Sequence, residues 1–203
     1  MRLIAFDPGR KTAYAKLDSR EPWHIEMGYV DLIGSGRLLR PCPLHIRALC
    51  EDVDQAVVEE VGARENQGVS SMFTFGLAVG SVLGALSATT VPIVLVSPTS
   101  WKKSARLAGL GRDEAKAAAR ALAKELWPQQ EKLLKVKDNH GPAEAGLIAR
   151  WYLQAGPGRD VPGPDDTDDR EDGETGTREI VEPKPVRTRQ PRGPVPANQS
   201  APE

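Results

Sequence analysis

The sequence predicts an α/β fold, a five-stranded mixed sheet flanked by helices. Three observations lead to it. The N-terminal third carries three short apolar runs joined by tight turns, the pattern of an antiparallel meander. From Leu44 onward, helical spacing alternates with two further short apolar runs, Ala56-Val57-Val58 and Ile93-Val94-Leu95-Val96, which adds parallel strands through crossovers. A long Ala-rich stretch and a last apolar helix then follow, enough to cover both faces of a sheet.

Each element has its own local reason. Leu3-Ile4-Ala5-Phe6 is a buried strand that ends at Asp7, and Pro8-Gly9-Arg10-Lys11 turns the chain. Residues 12–17 form the second strand and residues 23–32 the third. Leu44, Ala48, Leu49 and Val53 have helical spacing, and the short strand 56–60 after them can lie parallel to the first. A polar loop, 62–68, leads into a helix over 70–87, in which Gly76, Gly80 and Gly84 mark a smooth face suited to close packing on the sheet. Ile93–Val96 is the fifth strand. Residues 98–104 open a short helix, 113–126 form a strong one, and the last runs from Pro142, a favoured first helical residue, to Leu153.

Composition changes after this helix. Nine of the 17 prolines lie beyond residue 154, with the acidic run Asp165-Asp166-Thr167-Asp168-Asp169 and few aliphatics. The expected organisation is therefore a folded domain over 1–154 and a disordered tail over 155–203. The tail holds seven Lys/Arg and 11 Asp/Glu, which leaves 20 basic against 17 acidic residues in the folded part. A mildly basic domain with clustered acids suits a metal site that faces nucleic acid. Cys42 and Cys50 flank His45 but have no second pair to complete a zinc site, so reduced thiols in a cytoplasmic protein are expected. Asp7 and Arg10 interrupt the N-terminus too early for a signal peptide. Asn66 to Trp101 carries no charge, but Pro92 and the Thr89-Thr90 pair divide it into a helix and a strand, and no membrane association is expected.

The chemistry rests on Asp7, Glu59 and Glu144. The first two end neighbouring parallel strands, and the third lies near the start of the closing helix. Converging carboxylates repel one another, and Mg²⁺ or Mn²⁺ relieves this while keeping positions open for substrate oxygens. Two such ions can position water and stabilise the leaving oxygen of a phosphodiester. Glu60 competes with Glu59, but alternation lets only one enter the site, and Glu59 directly follows an apolar run as Asp7 does. Upstream of Glu144, Asp138-Asn139-His140-Gly141-Pro142 offers a fourth group: His140, or alternatively Asp138.

Phe6-Asp7-Pro8-Gly9, Val57-Val58-Glu59-Glu60-Val61, Pro98-Thr99-Ser100-Trp101-Lys102-Lys103 and His140-Gly141-Pro142-Ala143-Glu144-Ala145 occur in this order. Together they resemble RuvC-type Holliday-junction resolvases, in particular those of bacteriophages and prophages, over residues 1–153. The resemblance implies a ribonuclease H-like fold and a homodimer with two active sites on a four-way DNA junction. It also implies Mg²⁺-dependent nicking of two strands of like polarity. Asp7, Glu59, Glu144 and His140 match the family's metal-binding catalytic positions, with Glu144 replacing the more usual Asp and His140 one residue further upstream than in cellular resolvases. Lys102, Lys103 and Lys116 fall where basic residues meet the phosphate, and Arg64 with Phe73 and Phe75 falls on the loop and helix that meet unpaired bases at the junction. A broader branched-DNA or flap nuclease of the same fold, and a non-catalytic junction-binding protein, are the alternatives.

Overall fold

The computed structural model describes residues 1–60, 62 and 68–156 of the 203-residue chain. The expected tail, apart from residues 155 and 156, lies outside the described residues. So do Arg64 and most of the loop around it.

The strands are β1 (Arg2–Asp7), β2 (Ala13–Asp18), β3 (Ile25–Tyr29), the two-residue β4 (Leu32–Ile33) and β5 (Arg40–Pro41), β6 (Gln55–Glu59) and β7 (Ile93–Val96). The α-helices are α1 (Pro43–Leu49), α2 (Val69–Ser87), α3 (Pro98–Ser104), α4 (Arg112–Leu126), α5 (Glu131–Leu134) and α6 (His140–Ala155). The main sheet has five strands in the order β3-β2-β1-β6-β7. β1 runs antiparallel to β2 and parallel to β6, and β6 runs parallel to β7. A meander of three strands extended by two parallel ones is the topology of the ribonuclease H-like fold.

Alternation along the strands divides the core in two. Leu3 and Ala5 of β1 and Val57 of β6 face one side, with Trp101, Ala119, Ala123, Trp127 and the buried residues of α6. Ile4 and Phe6 of β1 with Ala56 and Val58 of β6 face the other, against Ile46 and Leu49 of α1 and Val82, Ala85 and Leu86 of α2. The next step of the same alternation puts Asp7 and Glu59 on the α6 side.

Helix boundaries follow local chemistry. Pro43 and Pro98 stand in the first turns of α1 and α3, and the Ser97 hydroxyl accepts the Thr99 N–H at the start of α3. α6 begins at His140, two residues before the expected Pro142, and ends at Gly156, whose φ of 84° few other residues would adopt. β3 is shorter than the expected 23–32. The chain leaves the sheet at Val30, and the little β4–β5 pair, which no periodic signal marks, follows.

The expectation for the α2 glycines is overturned. A Cβ added at Gly76, Gly80 or Gly84 would meet nothing within 4 Å, so this face does not pack on the sheet. Ala78, Val82, Ala85 and Leu86 take that place, because larger aliphatic side chains bury more apolar area there. α2 is long and apolar enough to cross a membrane by length and composition. Its one buried stripe is committed to the sheet.

Candidate active site

The Pro8–Lys11 turn fixes the end of β1. Thr12, fully buried, donates its hydroxyl to the Gly9 carbonyl at 2.9 Å, and Asp7 pairs with Ala13 across the hairpin. Phe6 pairs with Val58 on the parallel side, so the next step in register brings Asp7 beside Glu59. Glu59 is 92% removed from solvent, and its carboxylate accepts the indole N–H of Trp101 at 2.8 Å. That bond orients a buried carboxylate that would otherwise be costly in the core. Glu60 is less buried and donates its main-chain N–H to the Val96 carbonyl at 2.8 Å. The strand pleat thus assigns Glu59 to the side on which α6 packs.

α6 supplies the third acid. Its approach depends on Gly141, where a Cβ would come to 3.0 Å from the Ala13 Cβ and 3.4 Å from both the Asp7 Oδ2 and the Tyr29 Cε1. With no side chain there, the first turn of α6 lies directly on the ends of β1 and β2. Asp7 and Glu144 are hydrogen-bonded to each other. Burial, then the Glu59 and Glu144 charges, hold the Asp7 carboxyl well above its ordinary value, and the bond to Glu144 adds to this against the pull of Lys102. Burial, then Glu59, raise Glu144, while Lys102, Lys116 and the bond from Asp7 act the other way. Both carboxyls are therefore pushed towards their protonated forms.

The carboxylates suit a hard divalent cation. They are oxygen donors, and their mutual repulsion is only partly offset by lysines. Among the described residues no group of three or more His, Cys, Asp or Glu side chains is already disposed to hold an ion. Breaking the Asp7–Glu144 bond is the adjustment that frees both carboxylates.

The remaining predicted residues divide. Lys102 is half-buried, with its ammonium 5.3 Å from the Trp101 ring centroid, and its charge reaches Asp7 and Glu144. Lys116, on α4, acts on Glu144 and His140. Lys103 is exposed on the last turn of α3. Phe73 is 55% exposed and Phe75 is half-buried, both on the first half of α2. His140 opens α6, but the groups acting on it most strongly are burial, Lys116, Asp138 and Arg120 rather than the acids, and together they lower its pKa. Asp138 is exposed, and its main-chain carbonyl accepts the Tyr29 hydroxyl at 3.2 Å.

Three residues at the site have no counterpart in the sequence reading. Trp101 stands inside the Pro98–Lys103 motif, which gives it no role of its own. Tyr29 touches the site's edge, and burial followed by the Asp7 charge pushes its hydroxyl up to about 12. Arg120 lies one turn after Lys116. None of the three follows an apolar run or stands in a short motif with the acids, so only the tertiary fold could reveal them.

No protein-family model matches the chain. It is 36% identical over 156 residues to the chloroplastic Holliday junction resolvase MOC1 of Chlamydomonas reinhardtii. The chain is a homologue of a Holliday junction resolvase. The matched segment takes in 76% of this chain but 17% of the algal protein, so the chain spans less than a fifth of that relative's length. Among solved structures, it is similar to Thermus thermophilus RuvC in complex with a Holliday junction substrate, at 17% identity and a TM-score of 0.49, over 77% of this chain and 97% of that one. A second Thermus thermophilus RuvC structure shows 19% identity and a TM-score of 0.48, over 76% and 96% of the two chains.

Proposed function

We propose that the protein is a divalent-metal-dependent endonuclease that resolves four-way DNA junctions by paired, symmetric nicks. The observation that carries this reading is the placement of Asp7, Glu59 and Glu144 on one side of the sheet, in a resolvase homologue. Asp7, Glu59 and Glu144 would hold Mg²⁺, with Mn²⁺ able to replace it and two ions per site, and His140 or Asp138 would complete the set. Such ions make a hydroxide nucleophile available at neutral pH and offset charge on the phosphodiester.

The protein's own groups do the rest. Trp101 donates to the Glu59 carboxylate and orients it. Lys102 and Lys116 bring positive charge to the acids and draw the DNA backbone to them. Phe73, exposed near the start of α2, offers a ring on which an unpaired base can stack, and Lys103, Phe75 and, by its place in the sequence, Arg64 would be further DNA contacts.

Paired nicking needs two sites, and the reading includes a homodimer. Its support is the outer face of α2. Val69, Gly76, Gly80 and Gly84 recur at steps of seven and four and so share one stripe. Val69 is 84% exposed, and the glycines leave the helix backbone open to close approach by a second copy. The protein would act in the cytoplasm, where such junctions arise during recombination and repair.

The test is cleavage of labelled four-way junction, replication fork and linear duplex in Mg²⁺, Mn²⁺ or EDTA. Symmetric nicks confined to the junction and dependent on metal are expected. Equal cutting of all three substrates would replace junction resolution with the broader branched-DNA nuclease. Tight junction binding without cutting in either metal would leave a non-catalytic junction-binding protein.

A further inference from the structure

Lys116 and Arg120 stand one turn apart on α4, a spacing that places both on the same side of the helix. Ala119 and Ala123, between and after them, are buried against α6. Both cations act on His140, at the start of α6, and Lys116 also acts on Glu144. Their shared direction is therefore towards the edge of the acid cluster, with Arg120 about 6 Å further along the helix axis than Lys116.

Neither is held in a close ion pair, although Lys116 acts on Glu144 from further away. Among the described residues no ion pair includes Lys116 or Arg120. The Arg120 Nε is covered by protein and has no hydrogen-bond partner. Two like charges one turn apart repel, and a covered, unbonded guanidinium N–H is costly. The terminal guanidinium nitrogens beside an ammonium match the oxygens of a phosphodiester, which brings negative charge to both cations.

We propose that Lys116 and Arg120 form a subsite for a second backbone phosphate, next along the strand from the one held at Asp7, Glu59 and Glu144. This rests on the nuclease reading and deepens it. Lys116 acts on the acids, and Arg120 lies one turn beyond it on α4, so the basic track leads away from the acids along that helix. The subsite therefore gives the bound strand a polarity and requires a phosphate on one particular side of the cut.

The test is binding of a fluorescent four-way junction in Ca²⁺ across a KCl series, with Arg120→Gln and Arg120→Lys beside the unsubstituted protein. Arg120→Gln is expected to weaken binding to every junction sequence alike and to reduce the slope of log affinity against log salt by about one. Arg120→Lys should restore the slope but not all of the affinity, because the charge returns without the fork. In cleavage, KM should rise more than kcat falls. Thermal melts of both variants identify any loss that comes from unfolding. An unchanged slope and affinity in a folded Arg120→Gln protein would overturn the subsite alone. Failure of the unsubstituted protein to bind any DNA would overturn the nuclease reading, and the subsite with it.

Discussion

The indole N–H of Trp101 donates to the Glu59 carboxylate at 2.8 Å, and both groups are buried. One residue comes from the helix after β7 and the other from the end of β6. The bond therefore ties the second acid of the cluster to α3, the helix that also carries Lys102. Trp101→Phe keeps a large ring in the core and removes the donor. We expect a roughly 10–100-fold loss in metal affinity or nicking rate, the usual cost of losing a group that orients a metal ligand. Nicking rates across an Mg²⁺ titration check this, and a shift to higher Mg²⁺ demand is the signature.

Asp7→Asn should have two opposite effects. It removes an acid the site needs, so cutting should be abolished. It also removes one of three carboxylates crowded together, so the metal-free protein should melt higher, by about 2–4 °C for each kcal/mol of repulsion relieved. Glu60→Gln, one residue after Glu59 and on the other side of the strand pleat, should leave both properties close to those of the unsubstituted protein. Differential scanning calorimetry in EDTA and a nicking assay read the two effects separately.

The raised carboxyls set a pH dependence. Folding favours the protonated forms of Asp7 and Glu144, so their contribution to stability is complete below the ordinary carboxylate values, about 4. It is lost as pH rises through their raised folded-state values. In EDTA, stability should therefore fall over this window by more than in the Asp7→Asn, Glu144→Gln double variant, which also subtracts the contribution of His140. Added Mg²⁺ should remove the difference. Denaturant melts at a series of pH values measure it.

Gly141→Ala puts a methyl group 3.0 Å from the Ala13 Cβ and 3.4 Å from the Asp7 Oδ2. The start of α6 must move away from β1 and β2. A cost of about 1–3 kcal/mol is expected, together with a larger loss of activity than of stability, because Glu144 moves with the helix. Gly80→Arg is the contrasting case. Nothing lies within 4 Å of its added Cβ, so the monomer fold should survive while the α2 stripe is blocked. Sedimentation should then report a monomer, and junction cleavage should give single rather than paired nicks.

Much of this was legible in the sequence because strand periodicity carries it. The apolar runs ending at Asp7 and Glu59 specify two parallel strands, and the run directly before Glu59 favours it over Glu60. β7 and α3 begin and end where their residues suggest, since Pro92, Ser97 and Pro98 punctuate them. The glycines of α2 misled because spacing shows that they share a face without showing which way it points. That was decided by the competing stripe of Ala78, Val82, Ala85 and Leu86. Tyr29, Trp101 and Arg120 escaped for a related reason. Each is placed by contacts far apart in sequence, such as the Tyr29 hydroxyl on the Asp138 carbonyl across 109 positions.

The central claim is that Asp7, Glu59 and Glu144 form a single metal-dependent cutting site. Its most direct test is cleavage of a four-way junction in Mg²⁺ by the unsubstituted protein and by Asp7→Asn, with junction binding measured in parallel. The account predicts paired nicks from the first, none from the second, and comparable junction binding by both. Nicking that persists in Asp7→Asn would contradict it.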